Sequence, residues 1–426
     1  MEDNKRIEIL RNTLNANKDK YIKRLGELVA IDTHDIGHGI DGGLEKKGQE
    51  YMAELFKALG ASEVICDQME EKVILESLEK YNEGNEGHNY DGRFNVYATF
   101  KGESEKSILF NGHIDTMPVG DPALWNTNPH DPVIKDGRMY GLGVCDMKAG
   151  LMASTLAVEL LKDAGIPLPG KVVITSVVDE EGGGNGSIQA AMRGIKADAA
   201  VVCEPTDQSI IAAHMGFIFF KIEVEGRAVH SGAKWLGVSA IEKAQKLIEA
   251  IDELEHQWLM NYKHALLPAP TSNVGVISGG SAGSTVADYC EFKTCVHYLP
   301  GKMSHEQVVK EYTDAIYRRC EGDEWLKDHK PKISIYQAGG AFEMDLDHEF
   351  TKTFAGTCEK IKNEAVIVGS PAGCDARVWR NMANMPTLQY GPGRQSECHI
   401  ANEYVELQQY LDAILIYAQL ILDWCK

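Results

Sequence analysis

The stretch KVVITSVVDEEGGG, residues 171–184, decides how the chain is read. Val172–Val178 is an apolar run broken only by Thr175 and Ser176. A short run of this kind, without polar alternation, suits a strand covered on both faces, as in parallel α/β sheets. Three acids follow at once, Asp179, Glu180 and Glu181, and then three glycines. A carboxylate taken out of water costs free energy unless it is paired or bound to a cation. Three of them at the mouth of a buried strand therefore demand a reason. Neighbouring side chains of an extended chain point to opposite faces, so the three are not expected to share one job.

Working outward, the same apolar pattern recurs at Ser107–Phe110, Ala199–Val202 and Ala365–Val368. Helical periodicity separates these runs, over 147–164 and again over 403–424. A second strand pattern alternates instead: Phe220–Glu225, Phe292–Tyr298 and Lys332–Tyr336 place a polar residue at about every other position. Such strands belong to a sheet with one wet face. Between them lie two amphipathic helices. One carries Ile241, Ala244, Leu247, Ile248, Ile251 and Leu254 at helical spacing; the other opens at Ser304 with Gln307 three residues on, a capping box. With a strand near 272–278, the order over 217–337 is β-α-β-β-α-β, the ferredoxin-like order. The expected fold is α/β: a mostly parallel sheet, formed by 1–212 and 338–426, interrupted by an inserted ferredoxin-like domain at 213–337. Residues 79–92 are polar and rich in Gly and Asn, and read as a loop.

A chain of 426 residues is too long for one ordinary core, which agrees with two domains. The net charge of −20 argues against nucleic acid as a partner, because phosphates demand a basic face. No apolar run approaches the roughly 18–20 residues of a membrane span, so no membrane partner is expected. The N-terminal MEDNKRIEILRNTLN has no signal-peptide core, and the ten cysteines include no CxxC pair. A reduced, cytoplasmic protein is expected.

In open α/β sheets, ligands bind outside the carboxyl ends of the strands. There the sequence places His113 and Asp115, then Asp179-Glu180-Glu181, and then Glu204, each directly after an apolar run. Asp146 lies between Gly141-Leu142-Gly143 and a helix start, and His399 follows Gly391-Pro392-Gly393. Two histidines and several carboxylates without a thiolate suit Zn²⁺ or another borderline divalent ion. The donors suffice for two ions bridged by one carboxylate.

Two other motifs carry less. Gly279-Gly280-Ser281-Ala282-Gly283 matches the serine-hydrolase elbow G-x-S-x-G, but the elbow needs strand, sharp turn and helix. Here an alternating strand follows, so a glycine-rich hairpin or loop is expected and a serine hydrolase using Ser281 is the remote alternative. Gly182–Ser187 lacks the lysine of a phosphate-binding loop.

The stretches GHIDTMPVG, GLGVCDMKAGL, DEEGGGNG, CEP, AVHSG, GCDAR and CHIANEYV occur in the order of a known family. The chain resembles the di-zinc amidohydrolases that include acetylornithine deacetylase, succinyl-diaminopimelate desuccinylase, aminoacylase and carboxypeptidase G. The resemblance implies that His113, Asp146 and Glu204 hold one zinc, and that Asp146, Glu181 and His399 hold the other, with Asp146 bridging. Co²⁺ or Mn²⁺ are possible substitutes. It implies Glu180 as general base, Asp115 as the residue orienting His113, and His230 as oxyanion donor. The inserted domain would be a lid that forms a homodimer. The implied activity is hydrolysis of an amide in a small N-acyl amino acid or related N-acyl amine, with a dipeptidase or carboxypeptidase on the same scaffold as the alternative.

The sequence also departs from the family. Leu142 stands where an arginine is common, Ser284 where many members carry an asparagine, and His297 where an arginine often grips a substrate carboxylate. Ser284, His297, Arg377 and Arg394 are the candidate substrate contacts, and either arginine could instead serve a structural ion pair. Cys145, Cys203, Cys374 and Cys398 each precede a site candidate and read as small core side chains facing away. His34, His38 and His130 read as loop histidines without a role.

Overall fold

The computed structural model describes residues 2–426. In chain order the strands that matter are β1 (Glu63–Gln68), β2 (Phe94–Phe100), β3 (Ser104–His113), β4 (Gly170–Val177), β5 (Ala200–Val202), β6 (Ile210–His214), β7 (Gly216–Glu225), β8 (Thr271–Gly279), β9 (Tyr289–Tyr298), β10 (Lys332–Gly339) and β11 (Thr387–Gln389). The helices are α1 (Ala149–Asp163), α2 (Ala240–Asn261), α3 (His305–Glu321) and α4 (Leu407–Trp424). The chain separates into two compact units. One is Met1–Ala212, Met344–Val368 and Cys374–Lys426; the other is Ala213–Glu343 with Gly369–Gly373.

The sheet of the first unit runs β6-β11-β5-β3-β4-β2-β1. Its middle, β11-β5-β3-β4, is parallel throughout. The flanking pairs β6–β11, β4–β2 and β2–β1 are antiparallel. Three of the four parallel strands, β3, β4 and β5, carry the continuous apolar runs, and the reason is burial; the fourth, β11, is Thr387-Leu388-Gln389. Ile108, Leu109 and Phe110 of β3 are buried, as are Val172, Val173 and Ile174 of β4. Helices α1 and α4 pack on one another. Every residue from Ala149 to Leu161 of α1 is buried, as suits a helix that is apolar on all sides.

Register then does the work of positioning. His113 lies opposite Val177, and Asn111 opposite Val202, so β3, β4 and β5 end together at one edge of the sheet. A glycine fixes how closely the first helix approaches that edge. A Cβ on Gly150 would lie 1.8 Å from the carbonyl oxygen of Cys203, the residue before Glu204.

The second unit is a four-stranded antiparallel sheet in the order β8-β9-β7-β10, with α2 and α3 against one face. Alternation in the sequence becomes alternation in burial. Ile218, Phe220, Ile222 and Val224 face the helices with Phe292 and Val296, and Phe220 stacks on Tyr312 at 4.0 Å between ring centres. The side chains of Ser239 and Ser304 cap α2 and α3 by accepting the backbone N–H of Glu242 and Gln307. Ser281 lies exposed in the loop between β8 and β9, with strand on both sides, so the elbow geometry of a serine hydrolase is not present there.

Three details depart from the sequence reading. The helix expected over 403–424 begins only at Leu407, because Tyr404–Glu406 pair as a strand with Arg138–Tyr140. The antiparallel strands β1 and β2 add an edge that the apolar runs did not reveal. The expected loop at 79–92 opens with the last turn of the helix Glu71–Tyr81, and its remainder packs against the turn after β4: Asn85 Nδ2 donates to the Gly183 carbonyl and His88 bonds to Asp179.

The tight approach at Gly150 gives a direct check. Gly150→Ala should overpack the junction of α1 with the 203–204 segment and cost about 1–3 kcal/mol. Chemical denaturation measures it; an unchanged midpoint would mean that α1 is free to shift away.

Candidate metal centre

Asp146 stands at the middle of a group of side chains drawn from four separate segments. His113 Nε2 is 3.1 Å from Asp146 Oδ1, and His399 Nε2 is 3.4 Å from Asp146 Oδ2. His399 Nε2 also lies 3.0 Å from Glu181 Oε2. Two sets of donor atoms result, His113–Asp146–Glu204 and Asp146–Glu181–His399, each with its ligating atoms within 4.8 Å of one another. Asp146 belongs to both. All the donors are imidazole nitrogens or carboxylate oxygens, the set that suits a borderline or hard divalent cation.

Local structure explains how each donor arrives. His113 ends β3. Glu204 lies two residues past β5, and Glu181 sits in the turn beyond β4. That turn starts at Asp179, whose φ is +63°, and closes through the N–H groups of Gly183 and Gly184, which donate to the carbonyls of Glu180 and Asp179. Asp146 sits in an irregular segment just before α1. Its position is set by Glu403, whose buried carboxylate accepts the backbone N–H groups of Gly143, Cys145 and Asp146 at 2.8, 2.7 and 3.0 Å. Burial pushes the Glu403 carboxyl up to about 8 despite those donors.

Glu180 belongs to neither donor set, yet its Oε2 is 4.0 Å from His113 Nε2. Burial, with the carboxylates of Asp375, Glu181 and Asp146, holds Glu180 well above the usual carboxylate range. Glu204 is raised by burial and by Asp146. The imidazoles respond in the opposite sense. Burial alone would lower His113, but Asp146, Asp115, Glu204 and Glu180 raise it well above its ordinary value. Hydrogen bonds to Asp146 and Glu181 push His399 up to about 11. This field favours positive charge at the centre, which a divalent cation held by these residues would supply.

Asp115 stands behind the group. The carbonyl of Asp115 lies 2.9 Å from His113 Nδ1, its Oδ2 accepts the Glu181 N–H at 3.0 Å, and its Oδ1 is 3.7 Å from His113 Nδ1. It therefore ties one donor from each set to one residue, as supports of ligand histidines do. Asp179 points away into a buried network with His88 Nδ1 at 2.8 Å, Asn185 Nδ2 at 3.0 Å and Arg93 Nη2 at 3.0 Å. The support from Glu403, and from His88 and Arg93, was not read from the sequence. Glu403 lay inside the quoted CHIANEYV, but nothing local marks a glutamate that reaches 257–260 residues back to the backbone it holds.

The substrate-contact candidates divide. Arg377 is 2% exposed, and its guanidinium donates to Glu83 Oε2 at 3.0 Å and to the carbonyls of Cys374 and Gly183, both at 2.8 Å. This is the structural ion pair, not an open carboxylate clamp. Arg394 is exposed and pairs with Asp207 at 3.2 Å. His230, Ser284 and His297 all lie in the second unit. His230 is exposed, and its Nδ1 accepts the Gly232 N–H at 3.1 Å. Ser284 is exposed as well, while His297 lies on the open face of β9 with Nε2 3.4 Å from Cys295 Sγ. A cavity of about 180 Å³ opens beside Asp146, Glu181 and His399. Its walls include Met117, Pro118, Val119, Trp125, Leu142 and Ile400, and none of the residues around it is lysine or arginine.

Residues 109–423 match the profile of peptidase family M20/M25/M40. The N-formyl-4-amino-5-aminomethyl-2-methylpyrimidine deformylase of Bacillus subtilis (strain 168) is 31% identical over 364 residues, covering 79% of this chain and 84% of that protein. The acetylornithine deacetylase of Proteus mirabilis (strain HI4320) is 28% identical over 341 residues, covering 78% and 83%. Among solved structures, a tripeptidase from Staphylococcus aureus superposes with a TM-score of 0.75 at 22% identity, over 96% of this chain and 99% of that one. An M20 family metallo-carboxypeptidase from Sulfolobus solfataricus does so with a TM-score of 0.74 at 16% identity, over 95% and 99%. These two likenesses concern the fold. On the sequence match, the chain belongs to peptidase family M20/M25/M40 and is a metal-dependent amidohydrolase.

Proposed function

We propose that this protein removes a small acyl group from an N-acyl amine by hydrolysing the amide bond, with two zinc ions held by His113, Asp146 and Glu204 and by Asp146, Glu181 and His399. The observation that carries the reading is Asp146, shared by two donor sets, with Glu180 left outside both yet 4.0 Å from His113. Both relatives named above are, by name, enzymes that take an acyl group off an amine. The small cavity beside Asp146, with Met117, Pro118, Val119, Trp125 and Ile400 in its wall beside the carboxylates and with no lysine or arginine, supports a short acyl group there rather than an anionic one.

When bound, two divalent ions lower the pKa of a water and polarise a carbonyl. The chain's own residues supply the rest. Glu180 takes the proton of the attacking water and delivers it to the departing amine nitrogen. Asp115 holds His113 in one tautomer through the contacts at its Nδ1. Glu403 keeps the turn carrying Asp146 in place. His230 is proposed as the donor to the carbonyl oxygen as charge develops on it.

The second unit is proposed to pair two copies of the chain. It carries β8 as a free sheet edge with Val276 and Ile277 about half exposed (50% and 53%), and Trp235 is 79% exposed. An apolar free edge needs a cover, and a second copy supplies one. A reduced cytoplasmic setting is part of the same reading; none of the ten cysteines is in a disulfide.

Glu180→Gln should lower kcat by about 10²–10⁴-fold while leaving the bound metal content unchanged. Chelation should abolish activity on N-formyl and N-acetyl amines, and added zinc should restore it. Full turnover by Glu180→Gln, or activity that survives chelation, would contradict the mechanism. Arg377→Met should remove the buried guanidinium from beside Glu83 and from the carbonyls of Cys374 and Gly183 and cost about 3–5 kcal/mol of stability, read by denaturant unfolding. A raised KM with unchanged stability would restore Arg377 as a substrate contact.

A further inference from the structure

Cys145 and Cys398 lie 253 residues apart in sequence, yet their sulfurs are 4.0 Å apart. Both thiols point at one acceptor, the carbonyl of Arg394, at 3.4 and 3.5 Å. Each is covalently next to a candidate metal ligand, Cys145 to Asp146 and Cys398 to His399. Both are small side chains set against the structure rather than free on the surface, and their pairing with one another is not visible in local sequence. We propose that Cys145 and Cys398 form a reversible disulfide that displaces His399 and shuts the metal centre down when the protein is oxidised.

The two thiols are unequal in access. Cys145 is buried, whereas Cys398 is partly exposed, two residues past the exposed segment 394–396. A hydroperoxide therefore meets Cys398 first. The Cys398 thiol attacks the O–O bond, becomes a sulfenic acid and releases one water from hydrogen peroxide. The Cys145 sulfur then attacks the Cys398 sulfur, the S–S bond forms, and the sulfenic oxygen leaves as a second water. Two thiols lose two electrons and two protons, and one peroxide becomes two waters.

Bonding requires the sulfurs to close from 4.0 Å to about 2.05 Å. The two sides do not yield equally. Cys145 and Asp146 are pinned by their two N–H bonds to Glu403, and a Cβ on Gly393 would come within 2.5 Å of the Cys145 sulfur. The 398–399 side is looser: His399 is exposed, with a side chain 49% accessible. The movement falls on Cys398 and carries His399 with it, out of its place opposite Asp146 and Glu181. The effect on metal rests on the donor assignment proposed above; formation of the bond does not.

The test uses the full-length, zinc-loaded protein treated with hydrogen peroxide and digested with trypsin under non-reducing conditions. Peptides 139–148 and 395–426 should be found joined with the loss of two hydrogens. The second peptide also holds Cys425, so loss of the link in both Cys398→Ser and Cys145→Ser assigns the bond. Zinc content, read by atomic emission after desalting, should fall in the oxidised protein and not in oxidised Cys398→Ser. Dithiothreitol with added zinc should restore it. Activity on an N-formyl amine should fall about tenfold or more and recover in parallel. Absence of the link, with Cys398 found as sulfinic acid, overturns the proposal. So does a link that leaves zinc content unchanged. Should Glu180→Gln prove fully active, the catalytic reading fails while the joined peptides still stand.

Discussion

One carboxylate, Asp146, faces two histidines that come from opposite ends of the catalytic unit's sequence. Around it, Glu180, Glu181, Glu204, Asp115 and Asp375 are all wholly or largely out of water. Burial first, and the neighbouring carboxylates after it, raise the proton affinities of Glu180, Glu204 and Asp115. Such a centre is tolerable only with positive charge at its middle and rigid support around it. The rest of the unit reads as that support. Parallel register brings three strand ends to one edge, Glu403 fixes the turn bearing Asp146, and Asp115 links His113 to Glu181.

The acids 179–181 show how finely the support divides neighbouring residues. Asp179 takes a left-handed backbone conformation and turns its carboxylate into a dry network with His88, Arg93 and Asn185. Glu181 joins His399 and Asp146. Glu180 is left near His113 with no donor partner of its own set, the place a proton-transferring group needs. The glycines that follow close the turn by backbone bonds, and the loop 82–92 braces it from outside through His88 and through the Glu83–Arg377 pair.

Much of this was legible in the sequence because it rests on local pattern. Continuous apolar runs mark β3, β4 and β5 but not β11, and the acids directly after them come together at the sheet edge. Alternating strands gave the ferredoxin-like unit. What the pattern could not give is long-range. Glu403, Arg93 and the Cys145–Cys398 contact depend on side chains meeting across hundreds of residues, and no local spacing records that. The start of α4 lies later than the helical pattern suggests because Tyr404-Val405-Glu406, which runs straight into that helix, pairs as a strand with Arg138–Tyr140. Arg377 sits in a motif that looked suited to an anionic substrate, and only its burial against Glu83 reveals that the charge is already used.

The central claim is that Asp146 is shared between two metal ions. Anomalous diffraction from crystals of the zinc-loaded protein, recorded on either side of the zinc edge, tests it most directly. Two peaks about 3.5–4 Å apart, with Asp146 between them and Glu180 bound to neither, are the predicted result. A single peak, or zinc held away from Asp146, would contradict the account.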